Sequence, residues 1–174
     1  MLLHCTQKLA AKLPEVSATP LAETSPLGSW HANLYTIDRR QCVMFCHDES
    51  RYVLFLPGLV KADFVELGRL HRELFLASLV ALGVKETLLN RVSLVLGPVQ
   101  FDCITDRSAL GSLRVASFDL SCLLGSLDNV MECDPLALSV SLNDRPVTVK
   151  GKWSFPDKVM LERIEQLYGI TTGK

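Results

Sequence analysis

Three consecutive runs rich in β-branched and aromatic residues constrain the fold of this chain more than any other feature. They cover residues 30–38, 41–47 and 52–56, and only short polar segments separate them. Such short separations suit hairpins, so the pattern predicts an antiparallel meander. From residue 63 to residue 82 the apolar positions recur at threes, fours and sevens, which predicts a helix after the meander.

The remaining segments are predicted from the same patterns. A strand is expected over residues 99–104, and helices are expected over residues 7–13, 86–94, 107–113, 120–131 and 156–168. Residues 136–142 alternate apolar with small side chains, and the turn that follows leads to residues 147–149, which predicts a second hairpin. Because strands and helices come in blocks, we expect a single α+β domain with a mainly antiparallel sheet packed against several helices.

One stretch is expected to form no regular element. Residues 14–28 contain three prolines with serine, threonine and alanine between them. Prolines at this density interrupt helices and strands, so the sequence predicts an irregular surface loop.

Composition and charge exclude several classes of protein. The 174 residues are 48% hydrophobic with a formal net charge of -1, which suits one folded domain and excludes a disordered chain. Eighteen basic against nineteen acidic residues argue against a nucleic-acid partner. The uncharged apolar run at residues 74–84 is far shorter than the about 20 residues of a membrane span. The N-terminus has no basic leader and no long apolar segment, which favours the cytoplasm.

The cysteines favour neither disulfides nor a metal site. In a cytoplasmic protein we expect them to be small buried hydrophobes. Cys42 and Cys46 belong to a predicted strand, where residues four apart are about 13 Å from each other, whereas two sulfurs on one zinc lie within about 4 Å. We therefore expect no metal, and no cofactor motif occurs.

The first predicted hairpin supplies a candidate acid/base pair. With a two-residue turn at residues 39–40, Ile37 faces Cys42 and His31 faces Asp48. A histidine oriented by an aspartate is typical of an acid/base site. The alternative is a surface pair without function. His31 and Asp48 are the candidate catalytic residues.

Two polar segments supply candidate binding residues. The turn at residues 38–40 is either a solvated turn or a small anion-binding patch. The N–H groups at the start of the helix after residue 105 attract anions, although an aspartate there would serve as the helix cap instead. The candidate binding residues are Trp30, Arg39, Arg40, Asp106, Arg107 and Ser108.

Several segments of the chain resemble an uncharacterised bacterial domain family of unknown function. They are the opening LHCTxKL at residues 3–9, the run WHANLxxIDRRxC at residues 30–42 and TDRSxLGSL at residues 105–113. The similarity extends over most of the chain and is weakest in the Pro-rich loop and near the C-terminus. It implies a complete small prokaryotic protein, and it implies no activity, cofactor or catalytic residue.

Two functions follow from these observations. The first is a non-enzymatic interaction, accessory or regulatory module, because no catalytic motif occurs and surplus apolar residues suit a partner or homo-oligomer interface. The alternative is an enzyme acting on a phosphate-bearing or nucleotide substrate. His31 and Asp48 would transfer protons, and the anion would be held by Arg39, Arg40 and Arg107. This alternative requires the end of the hairpin at residues 30 and 47 to lie beside the helix start at residue 105.

Overall fold

The computed structural model describes residues 1–149 and 151–169. In this part of the chain, helices and strands follow each other in the order β1 (Leu2–Cys5), α1 (Gln7–Ala10), β2 (Trp30–Ile37), β3 (Arg40–His47), β4 (Val53–Leu59), α2 (Lys61–Val65), α3 (Leu67–Ala81), α4 (Glu86–Leu96), β5 (Gln100–Asp102), α5 (Arg107–Leu124), α6 (Pro135–Asn143), β6 (Val147–Val149), β7 (Lys152–Ser154) and α7 (Pro156–Leu167). Residues 14–28 form no helix or strand, as the prolines predict.

The main sheet has five strands in the order β4-β3-β2-β1-β5. Strands β2, β3 and β4 form the predicted antiparallel meander. The N-terminal strand β1 pairs in parallel with β2 on one side and with β5 on the other. The sheet is therefore mixed, and the predicted single α+β domain is confirmed.

The register of the first hairpin differs from the predicted one by two residues. His31 pairs with Cys46, and Ile37 pairs with Arg40. The turn is centred on Asp38 and Arg39, whose φ angles of 49° and 62° are those of a type I′ turn. Since side chains alternate with a period of two, this shift leaves every residue on its predicted face.

The sheet separates two apolar cores. On one face, α1, α3, α4 and α7 cover the larger core, to which the helices contribute buried side chains such as Leu9, Phe75, Val92 and Ile164. On the other face, α5 covers a smaller core that includes Cys42, Met44, Cys46, Phe55, Leu113 and Leu120. We call this second side the α5 face of the sheet.

The prediction of a strand over residues 136–142 is wrong. These residues belong to α6, whose first turn is capped by the Asp134 carboxylate and begins with Pro135. The second hairpin exists, but it consists of β6 and β7. Side chains of α6 instead bind the backbone of the edge strand β4. Phe55 N–H donates to Ser139 Oγ, and Asn143 bonds both the N–H and the C=O of Val53.

The prediction of two separate helices over residues 107–113 and 120–131 is wrong, because the first segment and the beginning of the second belong to the single helix α5. Helix α5 runs without interruption through Gly111, and only residues 130–132 of the later segment form a separate short 3-10 turn. No helix of the described part is long and apolar enough to cross a bilayer.

Candidate functional site

Three polar side chains form a row across neighbouring strands at the end of the α5 face. His4 of β1 pairs with His31 of β2 on one side and with Asp102 of β5 on the other. Residues paired in this way project on the same side of a sheet. The two imidazole centroids are 4.8 Å apart, and His4 Nδ1 lies 2.7 Å from Asp102 Oδ1.

His31 is held at both ring nitrogens. Its Nε2 atom accepts a hydrogen bond from the Asp106 backbone N–H at 2.7 Å, so the ring proton is on Nδ1, which donates to Asp48 Oδ1 at 2.5 Å. The side chain is almost fully buried. His31 and Asp48 thus meet, although His31 is paired with Cys46 and not directly with Asp48 as predicted, and the hairpin end lies beside the start of α5. With both nitrogens engaged, His31 acts as a positioning residue for Asp48.

Asp48 remains charged next to the two histidines. Burial raises the pKa of this carboxyl, but the hydrogen bonds that His31 and Ser29 donate to it outweigh burial and lower the pKa. Ser29 Oγ donates to Asp48 Oδ2 at 2.6 Å, and His4 Nε2 lies 4.0 Å from the same oxygen. Asp48 is therefore an ionised carboxylate that is partly open to solvent.

His4 and Asp102 are the site residues that sequence reasoning missed. Asp102 is fully buried, accepts backbone hydrogen bonds from Leu21 and Ile104, and orients the His4 ring. His4 Nε2 has no hydrogen-bond partner within the described residues, and the side chain is 15% exposed. A carboxylate on one imidazole nitrogen with the other nitrogen open is suited to proton transfer. The only signal in the sequence was the histidine of the opening motif.

The start of α5 is capped by its own side chain. Asp106 Oδ1 accepts a hydrogen bond from Ala109 N–H at 2.9 Å, and hydrogen bonding by the Ala109 N–H is the main cause that lowers the Asp106 pKa. The carboxylate thus occupies the place that a bound anion would take. Ser108 Oγ accepts from the buried Arg51 guanidinium at 2.8 Å, and Arg107 is exposed to solvent.

The other candidate binding residues lie elsewhere. Trp30 is 1% exposed on the opposite face of the sheet, with its ring 4.6 Å from that of His71. Arg39 and Arg40 stand at the far end of the hairpin. Six residue pairs separate this turn from His31, which corresponds to about 20 Å along the strands. The structure therefore brings together His31, Asp48 and the start of α5, and it separates the rest from them.

A second unusual feature is the outward side of α5. Ala109, Leu113, Ala116 and Leu120 are buried against the sheet. Opposite them, Val115 is 56% exposed and Phe118 is 71% exposed. Gly111 and Cys122 are exposed at the matching helical spacing, so an apolar stripe remains open to solvent. We call residues 111, 115, 118 and 122 the α5 stripe.

The fold and the site define a single α+β domain, in which a mixed five-stranded sheet lies between two groups of helices and carries a histidine–carboxylate row beside α5. Within the described residues, no group of three histidine, cysteine, aspartate or glutamate side chains is placed to hold a metal ion. The chain belongs to the family described as "Domain of unknown function (DUF6933)", whose model matches residues 2–159. Comparison with curated proteins finds no match.

Proposed function

We propose that this protein is a non-enzymatic interaction module that works as a homodimer through the α5 stripe. The observation that carries the proposal is the exposure of Phe118 and Val115 on the outward side of an 18-residue helix. A large aromatic side chain in water is costly at about 25 cal/mol per Å² of apolar surface, and a partner surface removes that cost.

The positions along α5 favour a second copy in antiparallel orientation. Gly111 and Gly125 are equally distant from Phe118 in the sequence, so a two-fold axis near Phe118 sets a small residue of each copy opposite one of the other. Arg107 begins the helix and Asp128 follows its end. Antiparallel packing brings the arginine of one copy to the aspartate and the carbonyl end of the other, where a cation is favoured.

Sedimentation of three forms of the protein tests this proposal. We expect the wild type to be a dimer at about 100 µM and Phe118→Asp to be a monomer with an unchanged circular dichroism spectrum. Leu94→Asp is the matched control, because Leu94 is 81% exposed on α4, outside the stripe, and this variant should stay a dimer. A monomeric wild type, or dissociation of both variants alike, would contradict the proposal.

A cytoplasmic setting is part of the same proposal. Cys5, Cys42 and Cys46 are buried as free thiols. A reducing compartment keeps thiols in this form.

A second candidate function is acid/base catalysis on a phosphate-bearing substrate, and the His4–Asp102 pair favours it. In this proposal His4 transfers the proton through its open Nε2 atom, Asp102 orients the ring, and Asp48 stabilises the protonated imidazole. Of the three arginines considered for the anion, Arg107 is the one at this end of the hairpin.

Hydrolysis of p-nitrophenyl phosphate tests this second function. We expect His4→Gln to lower the rate by about 100-fold or more, since general acid/base catalysis contributes at least that much. Ser141→Ala, a substitution at an exposed position of α6 in a protein purified identically, should leave the rate unchanged. Equal rates for wild type and His4→Gln would eliminate the candidate.

A further inference from the structure

A cavity of about 550 Å³ lies at the far end of the β2–β3 hairpin from the histidine row. Three parts of the chain form it, namely the segment after α1, the hairpin turn, and the junction of β4 with α2. We call it the basic cavity because its rim carries the cationic side chains Lys12, Arg39, Arg40 and Lys61. None of its lining residues is acidic within the described part of the chain.

The four cations of the basic cavity have no ion-pair partner among the described residues. The two nearest carboxylates in the sequence form no ion pair with these cations and instead accept backbone hydrogen bonds at 2.7 Å, Asp38 from Val130 N–H and Asp63 from Val60 N–H. In a chain whose net charge is -1, four cations without an ion-pair partner around one cavity are a local concentration of positive charge. Such a concentration attracts an anion with several charges.

The backbone at the rim indicates that the Arg39 side chain is retained at a cost. Its φ angle of 62° lies in the left-handed region, and the second central position of a type I′ turn usually holds glycine. Arginine is therefore less favourable for this turn than glycine would be. Its side chain lines the cavity instead.

The inner wall of the basic cavity is apolar. Leu59 and Phe64 line it and are almost fully buried. A volume of about 300 to 1,000 Å³ with an apolar wall and a few charged groups is typical of small-molecule sites. A guanidinium group can form two parallel hydrogen bonds with the oxygens of either a phosphate or a carboxylate. A phosphate carries more negative charge than a carboxylate, so it suits a site with several cations better.

We infer that the basic cavity binds a small phosphate-bearing molecule with a flat aromatic ring, of the nucleoside-phosphate class. The phosphates lie among Lys12, Arg39, Arg40 and Lys61, and the ring lies against Leu59 and Phe64. This site is separate from the His4–Asp102 pair, which stands at the other end of the hairpin, and its lining includes no residue of the α5 stripe.

Calorimetric titration with ADP and with pyrophosphate at low ionic strength tests the inference. We expect saturable binding of ADP with a Kd of about 10 to 100 µM, and binding of pyrophosphate about tenfold weaker because it has no ring for the apolar wall. Arg39→Gly preserves the turn, because glycine suits the left-handed backbone, and it should weaken ADP binding about fivefold or more. Lys61→Gln should do the same.

Lys152→Gln is the matched control, since Lys152 is exposed on β7 and its loss changes the net charge equally. This variant should bind ADP like the wild type. Absence of saturable ADP binding up to about 5 mM, or an equal loss in Lys152→Gln, would overturn the inference. Tighter binding of a single-stranded oligonucleotide than of ADP would also overturn it and would assign the basic rim to nucleic acid. Equal affinities for ADP and pyrophosphate would overturn the role of the apolar wall.

Discussion

The Asp106 backbone N–H donates a hydrogen bond to His31 Nε2 at 2.7 Å, across 75 residues of chain. The same imidazole donates from Nδ1 to Asp48, which lies in the turn between β3 and β4. One buried side chain therefore joins β2, this turn and the start of α5. His31 therefore helps to fix the start of α5 on the sheet, and its hydrogen bond contributes to the lowered pKa of Asp48.

The first prediction concerns this joint. His31→Ala leaves the Asp106 N–H and the Asp48 carboxylate without their partner, so we expect the free energy of unfolding to fall by about 2 to 4 kcal/mol. Urea unfolding of His31→Ala, Asp48→Ala and the double variant should give a coupling energy of about 1 to 2 kcal/mol. Strict additivity of the two single changes would contradict a direct interaction between His31 and Asp48.

Local patterns in the sequence predicted the meander but not the centre of the sheet. Strands β2 to β4 are joined by short turns, so their pairing follows from neighbouring residues. Strand β1 has only four residues, and its parallel partners begin 28 and 98 residues further along the chain. No local signal links such distant segments. For this reason the row that joins His4 to His31 and Asp102 could not be predicted, whereas the meeting of His31 with Asp48 could.

Helix α6 was mistaken for a strand because it is enclosed on several sides. It packs against β4, α3, α5 and α7. Leu136 joins the larger core, whereas Leu138 and Leu142 join the smaller one. A helix that is apolar on most sides shows no clear helical period, and its small residues between leucines imitate the alternation of a strand. The small polar side chains Ser139 and Asn143 bond the backbone of β4.

The second prediction concerns the contact of α6 with the edge of the sheet. Asn143 is fully buried and bonds both the N–H and the C=O of Val53 at 2.7 Å. Asn143→Ala leaves these two backbone groups without partners, so we expect a loss of about 2 to 4 kcal/mol in the free energy of unfolding. Ser141→Ala, at an exposed position of the same helix, should change it by less than about 0.5 kcal/mol. Similar losses from both substitutions would show that α6 does not support β4 through Asn143.

The third prediction concerns the pH dependence of stability. His71 is fully buried among Trp30, Phe45 and Phe75, and neither of its ring nitrogens has a hydrogen-bond partner within the described residues. Burial lowers the pKa of His71 from 6.5 to about 3, with a smaller contribution from the charge of His47. Between these two pH values the unfolded chain binds a proton that the folded protein does not. Stability is therefore lost as the pH falls below about 6.5, by up to about 1.4 kcal/mol per pH unit for this group.

His71→Phe removes both the unbonded polar ring and the titrating group. We expect the variant to be about 1 kcal/mol more stable at pH 7, since an unbonded polar ring is replaced by an apolar one, and to lose stability less steeply between pH 6 and pH 4. Urea unfolding at several pH values measures both. His47→Phe is the contrast, because His47 bonds Ser50 and the Leu27 carbonyl through its two ring nitrogens, and its replacement should destabilise the protein. Parallel pH profiles for wild type and His71→Phe would refute the assignment.

The fourth prediction compares two glycines inside helices. Alanine is favoured over glycine by up to about 1 kcal/mol in a helix. At Gly111 of α5 an added Cβ meets nothing within 4 Å, so Gly111→Ala should raise the free energy of unfolding by about 0.5 to 1 kcal/mol. At Gly68 of α3 the same atom lies 2.8 Å from Val99 Cβ, which is a rigid contact because valine branches there. Overpacking of this kind costs about 1 to 3 kcal/mol, which exceeds the gain in helix propensity, so Gly68→Ala should be destabilising.

Both glycine variants are best measured in the Phe118→Asp background, because Gly111 belongs to the α5 stripe and dimer formation would add to its apparent stability. The two variants make the same exchange of glycine for alanine, so helix propensity should change stability in the same direction in both. Opposite changes in the free energy of unfolding would therefore show the effect of packing at Gly68. If both variants gained stability, Val99 would have moved away from α3, and the segment between α4 and β5 would be more adaptable than its close contact with Gly68 indicates.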